Sequence, residues 1–262
     1  MSSLPGNLEH ALAVFALAAG RTVSMVWLVP AFGGPTLPAQ IRLALGLALA
    51  SLCFPLVAGQ VPAGGSVLWV LLFFREIVVG VVMGLVVACL FRAAEAAGQL
   101  TDIVRGANLA EVISPLTESR SSPLGNLFLL LAVVIFFEMG GAGYLATALA
   151  RSYEAVPLAA TEPTPASLHT AAFLVIAASG KLIEAAVGLA APALIALLLA
   201  DLVLGALGRV APQIPLYFVG MPAKALLGVG AILAGIATLD SALTVGFRGF
   251  LVLLERAAQL GR

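Results

Sequence analysis

Residues 201–224 read DLVLGALGRVAPQIPLYFVGMPAK. Charges and helix breakers, at Asp201, Arg209, Pro212, Pro215 and Pro222, stand here inside an otherwise apolar, glycine-rich stretch. A lipid-facing helix could not carry that combination without a large penalty, because hydrocarbon offers no water to charges or unpaired backbone groups. The segment must therefore be buried in protein or line a polar space. The residues on either side, 168–207 and 221–240, are apolar runs, so the polar signals punctuate a membrane-type sequence rather than a soluble one.

The whole chain agrees. Its 262 residues are 61% apolar and 10% charged, against about 25% charged in an average soluble domain, and the mean hydropathy is +1.12. Lys and Arg total 13, as do Asp and Glu, and no basic run marks a nucleic-acid partner. Cys53 and Cys89 sit in LALASLCFPLV and GLVVACLFR, where they read as small buried hydrophobes rather than a disulfide framework. The opening MSSLPGNLEH lacks a positively charged flank, and Arg21 interrupts the first apolar run. A cleavable signal core would tolerate neither well, so that run reads as a retained helix.

Six apolar stretches emerge, at 8–30, 39–58, 66–91, 124–150, 168–207 and 221–240. Each approaches or exceeds the ~20 residues of a spanning helix. FGGPTLP at 32–38 and AGQVPAGG at 58–65 separate the first three, and connectors this short favour antiparallel pairs. The expected fold is an all-α integral membrane protein of about six long apolar helices in bent antiparallel hairpins, forming one membrane domain over 1–262.

Two helices are too long for a plain span. The helical pattern from Ser66 continues past Phe91, because Arg92, Glu95, Gln99 and Asp102 recur on one face. A helix of ~40 residues is ~60 Å long, about twice the hydrocarbon core. The run 168–207 overshoots similarly. Either each bends back as a hairpin, or the protein stands partly outside the bilayer. Charges also lie within the runs: Arg21, Arg75, Glu76, Lys181, Glu184 and Asp201. Each costs about 2.5–3.5 kcal/mol at a helix centre on insertion scales. Lys181 and Glu184, three apart, share a face and can pair with each other. Arg75 and Glu76 are adjacent and point to different sides, so each needs a partner on another helix or chain. Ion pairs that fix packing, a substrate or proton path, and contacts with partner subunits all fit these charges. Gly80 with Gly84, and Ala44, Gly46, Ala48 and Ala50, are small-residue surfaces on which helix backbones can approach closely.

No catalytic constellation stands out. His10 and His169 have no Cys or carboxylate at ligand spacing, so no metal site is expected. Ser179-Gly180-Lys181 resembles the end of a phosphate-binding loop, but Val175 stands where that motif requires glycine. The chain is expected to be no enzyme and to need no cofactor. A self-contained secondary carrier for a small solute, using Lys181, Glu184 and Asp201, is the alternative, and the lack of an internal repeat argues against it. Residues 92–122, RAAEAAGQLTDIVRGANLAEVISPLTESRSS, begin as an amphipathic helix and end in a Pro/Ser-rich loop. Their apolar members Leu109, Val112 and Ile113 suit an interfacial helix or an apolar plug that excludes water from a path.

Four stretches carry a resemblance: AAGQLTDIVRGA at 96–107, SSPLGNLFLLLAVVIFFEMGG at 121–141, RSYEAVPL at 151–158 and GRVAPQIPLYFVGMPAKALLG at 208–228. Their order and spacing, over about Arg21 to Asp240, resemble the FliR/SctT family of type III secretion export-apparatus membrane proteins. The SRSSPLG loop and SYEAVPL look more like the injectisome branch, SctT, than flagellar FliR. The resemblance implies a subunit of the export gate in the bacterial inner (cytoplasmic) membrane, at the base of a secretion apparatus. It implies a fold completed only in a hetero-oligomer with FliP/SctR-like and FliQ/SctS-like subunits, with a FlhB/SctU-like switch protein as a further partner. Unfolded exported proteins would pass through the centre, and membrane lipid would surround the assembly. It also implies that Arg105–Ser122 is a plug loop, bringing Arg105, Gly106, Leu109, Val112, Ile113 and Pro115 to the gate. This chain carries small aliphatics where relatives often place phenylalanines. Arg209, Pro212, Gln213, Pro222 and Lys224 match the family motif, where they would shape a helix hairpin and bond to neighbours.

Overall fold

A computed structural model describes residues 4–32, 37–60, 65–106, 122–159, 165–213, 218, 220–230, 241 and 244–246. Among these residues helices and turns carry the chain, and no strand occurs. Six long helices appear in order: α1 (Leu4–Leu28), α2 (Ala39–Val57), α3 (Ser66–Arg105), α4 (Pro123–Glu138), α5 (Gly141–Ala155) and α6 (Pro165–Val210). A 3₁₀ turn, Pro30–Phe32, follows α1, and residues 220–230 are helical again. Four of these helices are long and apolar enough to cross a membrane, or up to five spans if the bent pair α4–α5 counts as one. The protein is an all-α membrane protein. The sixth expected stretch, 221–240, is described only as far as residue 230.

The two over-long runs do not turn back as hairpins. α3 continues unbroken for 40 residues and α6 for 46. The break falls elsewhere, in the run at 124–150, which the sequence offers as one stretch. There α4 and α5 meet at 73°. Gly140 takes φ +73° at the corner, a left-handed conformation that costs a residue with a Cβ about 1–2 kcal/mol and glycine little. Its N–H closes the turn on Phe137 O at 3.0 Å. Pro38 marks the opposite event, a helix start. Its carbonyl accepts from Ile41 and Arg42 N–H groups at 3.0 and 3.3 Å, opening α2 where proline cannot itself donate.

The described residues fall into two compact units. Met1–Cys89 with Phe136–Gly180 belong to the first, and Leu90–Ile135 with Lys181–Gly246 to the second. In the first unit α1 is clasped by α2 and by the N-terminal part of α3. Gly80 is the closest approach: a Cβ there would lie 2.0 Å from Ser24 Oγ and 2.2 Å from Arg21 O. One turn on, a Cβ at Gly84 would lie 2.9 Å from Met25 O. The small pair in α3 thus serves packing inside this chain. Of the small-residue surface in α2, Gly46 and Ala50 are buried, whereas Ala44 and Ala48 are exposed. In the second unit Gly98 plays the part of Gly80, because its Cβ would fall 2.4 Å from Leu124 O. Around it Phe91, Ala94, Ala97, Phe128 and Ala132 form a buried core.

Gly80→Ala will force α1 and α3 apart and cost about 1–3 kcal/mol. Gly143→Ala, in α5 with nothing within 4 Å of the added Cβ, will be neutral or stabilise by about 0.4–1 kcal/mol. Thermal unfolding of the detergent-solubilised variants measures the contrast. Equal melting temperatures would rule out the tight α1–α3 contact.

Candidate functional site

The charges inside the apolar runs of the first unit form one buried cluster. Arg21 lies on the face of α1 that α3 covers, and Glu76 lies on the facing side of α3; both side chains are 0% exposed. Arg21 Nε and Nη2 both stand 2.6 Å from Glu76 Oε2. Arg21 also reaches the segment around the end of α5. Nη1 donates to Ser152 Oγ at 3.0 Å and Nη2 to Val156 O at 2.9 Å. The guanidinium also sits over the Tyr153 ring, 4.2 Å from its centroid, and the Tyr153 hydroxyl donates back to Ala18 O. Glu76 accepts from a second arginine: Arg75 Nη2 donates to Oε1 at 2.7 Å and to Pro157 O at 3.0 Å. Leu158 N–H, next along that segment, donates to Gln60 Oε1 at 2.8 Å.

Two cations thus share one carboxylate, and backbone carbonyls after α5 take up the excess donors. Glu76 finds the partner on another helix that its position demands. Arg75 differs from expectation. Adjacent Cα–Cβ bonds do diverge, but the long arginine stem folds its guanidinium back to the neighbouring carboxylate while also reaching Pro157. Chemically the cluster is a lock: each oxygen of the Glu76 carboxylate is engaged by a guanidinium, Oε2 by Arg21 and Oε1 by Arg75.

A second cluster occupies the other unit, and the sequence disguises it. Asp102 belongs to the stripe of Arg92, Glu95 and Gln99, which reads as a polar outer face. Arg92 is indeed exposed and pairs with Glu95 at 2.5 Å, but Asp102 is 0% exposed while Ile103 next to it is 58% exposed. The reason is α4. Asp102 Oδ2 accepts from Ser122 Oγ at 2.5 Å and from Leu124 N–H at 2.9 Å. Ser122 Oγ in turn accepts from Gly125 N–H at 2.9 Å. This is a helix N-cap reinforced by an anion at the positive end of the dipole. Arg105 Nη2 stands 2.8 Å from the other oxygen, Oδ1, as an ion pair. The end of α3 is therefore tied to the start of α4, across the ends of the 107–121 segment. Arg105 and Gly106, at φ +82°, are described; Leu109, Val112, Ile113 and Pro115 lie outside the described residues.

The remaining charges separate. Lys181 and Glu184 are both exposed on α6, and among the described residues no ion pair joins them. Asp201 instead pairs with Lys224 in the helical residues that follow the 212–213 turn. Glu184 and Asp201 are 17 residues apart on one helix, or ~25 Å, so these three charges do not gather into one carrier site. In the family motif, Arg209 lies in the last turn of α6, where a cation complements the helix dipole. Pro212, Gln213 and Pro222 are exposed. Among the described residues no cluster of His, Cys, Asp or Glu could hold a metal ion.

Comparison with known proteins covers all of these residues. The family model for bacterial export proteins, family 1, matches residues 12–249. The secretion system apparatus protein SsaT of Salmonella typhimurium (strain LT2) is 31% identical over 222 residues, which is 82% of this chain and 84% of that protein. The Yop proteins translocation protein T of Yersinia pestis is 35% identical over 189 residues, 71% of each chain. The flagellar biosynthetic protein FliR of Caulobacter vibrioides is 26% identical over 235 residues, 86% of this chain and 90% of that protein.

Two aspartates in different settings give a test. Asp102→Ala removes a cap worth about 1 kcal/mol and strands Arg105, so the total loss will be about 2–4 kcal/mol. Asp201→Ala breaks a half-exposed pair and will cost less than about 1 kcal/mol. Chemical unfolding in mixed micelles measures both; a larger loss at Asp201 would overturn the assignment of Asp102 as the structural anchor.

Proposed function

This chain belongs to the bacterial export proteins, family 1, and we propose that it is a subunit of a type III secretion export gate. It acts there without catalysis, helping to form and seal the inner-membrane channel through which unfolded proteins leave the cell. The observation that carries this reading is the match over residues 12–249, joined to relatives named for a secretion apparatus, Yop translocation and flagellar biosynthesis. Identities of 31% and 35% to the first two, against 26% to the flagellar protein, favour an injectisome.

The exposed surface of α6 supports assembly with other subunits. Its apolar span is only 17% buried, and Lys181 and Glu184 interrupt it in the open. Water does not suit the apolar residues, and lipid would charge about 2.5–3.5 kcal/mol for each ionised group. Neighbouring protein suits both. FliP/SctR-like and FliQ/SctS-like subunits are the proposed neighbours, with a FlhB/SctU-like switch protein. The motif residues Arg209, Pro212, Gln213, Pro222 and Lys224 shape the turn after α6 and meet those neighbours. The buried network of Arg21, Arg75 and Glu76 keeps the first unit rigid within that assembly.

The gate itself is assigned to the segment from Arg105 to Ser122, with Leu109, Val112 and Ile113 as the apolar seal and Gly106 and Pro115 bounding it. Asp102 supports the assignment, since its bonds to Ser122 and Leu124 fasten the segment's far end. Purification from a native-like host in mild detergent will yield one large particle containing the two partner types. A lone monomer, with those partners expressed, would defeat the subunit reading. Deleting Leu109–Ile113 will leave that particle assembled but make membranes carrying it leak ions. An assembled particle that stays tight would defeat the seal alone.

A further inference from the structure

Helices α1, α2 and α3 leave a groove between them whose lining reaches Trp27, the residue over which the Arg42 guanidinium lies. Phe15, Ala19, Val23 and Trp27 line it as one stripe along α1, with Leu43 of α2 and Phe73 of α3 among its walls; its volume is about 540 Å³. From Phe15 to Trp27 the helix advances 12 residues, or ~18 Å, close to the ~15 Å of one leaflet of hydrocarbon. Dividing the volume by that length leaves roughly 30 Å² of cross-section. The groove therefore admits a single extended hydrocarbon chain.

The chemistry at its end matches a lipid too. Trp27 is the penultimate residue of α1, and Arg42 lies in the first turn of α2. Both stand at the linked ends of an antiparallel pair, the level at which tryptophan and arginine meet headgroups. The Arg42 guanidinium lies over the Trp27 ring, 4.4 Å from its centroid. Its Nε is buried and has no acceptor, and among the described residues no ion pair includes it. The carboxylates on α1, α2 and the first unit's part of α3 are Glu9 and Glu76. Glu76 is occupied by two arginines, and Glu9 lies 18 residues before Trp27, ~27 Å away along the helix. A positively charged headgroup would therefore find only Arg42, whereas a phosphate would complete it.

We propose that this groove binds an anionic glycerophospholipid, with one acyl chain along α1 and the phosphate accepting hydrogen bonds from Arg42. The site stands independently of the export-gate reading. Replacing Trp69 by phenylalanine leaves Trp27 as the sole tryptophan of the two in the chain. The full-length protein is then reconstituted in phosphatidylcholine vesicles containing increasing fractions of bromine-labelled phosphatidylglycerol or bromine-labelled phosphatidylcholine. Both lipids offer Arg42 a phosphate, but only phosphatidylcholine adds a cation that Arg42 repels, so brominated phosphatidylglycerol will quench Trp27 half-maximally at an about tenfold lower mole fraction. Arg42→Gln will abolish that preference, and Arg42→Lys will keep part of it. Ala19→Phe, which fills the groove and leaves Arg42 in place, will weaken quenching by both lipids. Equal quenching of the parent by both lipids would overturn the proposal, as would a preference unchanged in Arg42→Gln. Absence of quenching by either lipid, with position 27 cross-linking to protein, would assign the groove to another chain or to another part of this one.

Discussion

Glu76 is the constraint on which the first unit depends. A carboxylate fully removed from water carries a desolvation penalty of several kcal/mol, and an arginine beside it carries a similar one. Neither group would remain at a helix contact alone. Together with Arg75, and with Ser152, Val156 and Pro157 taking up further donors, the charges become mutually necessary. The cluster thereby fixes which faces of α1 and α3 meet and holds the segment after α5 against them. Small residues set how near those faces come; the charges set their register. An apolar interface in lipid has little to distinguish one rotation from another, so polar contacts supply the specificity that burial alone lacks.

The second unit solves a different problem with similar means. The N-terminus of α4 presents unpaired N–H groups, which in a membrane protein cannot rely on water. Ser122 and Asp102 satisfy two of them, and Arg105 balances the charge. The result is a fixed pair of anchor points where α3 ends and α4 begins. Arg21, Arg75 and Glu76 in the first unit and Asp102 and Arg105 in the second are bound within the protein, whereas Lys181 and Glu184 on α6 remain exposed. That contrast divides the charges that hold this chain together from those available to its neighbours.

Much of the architecture was legible in the sequence, since apolar runs of spanning length leave little choice but helix. The helix starts at Ala39 and Ser66 follow directly from FGGPTLP and AGQVPAGG. The corner at Gly140 was not legible, because Gly140-Gly141 stands in an apolar run rich in glycine, where nothing local marks which glycine takes positive φ. Asp102 was misleading for the same reason that its stripe was persuasive: spacing gives the face of a helix, whereas α4 decides whether the last turn of that face is covered. The pairing of Asp201 with Lys224, 23 residues apart, needed the path of the turn between them. Arg42 and Trp27 carried no motif at all. A tryptophan near one helix end and an arginine near the next helix start was the only available signal.

A double-mutant cycle between Arg21→Met and Glu76→Met, read by unfolding in mixed micelles, tests most directly whether buried charge fixes the helix packing. Each single change should cost about 3–5 kcal/mol, since it strands the other group. The double variant should be no less stable than the worse single one, because it removes both charges together. Losses that add within about 0.5 kcal/mol would mean that the two charges act independently, and the packing of α1 on α3 would then rest on shape alone.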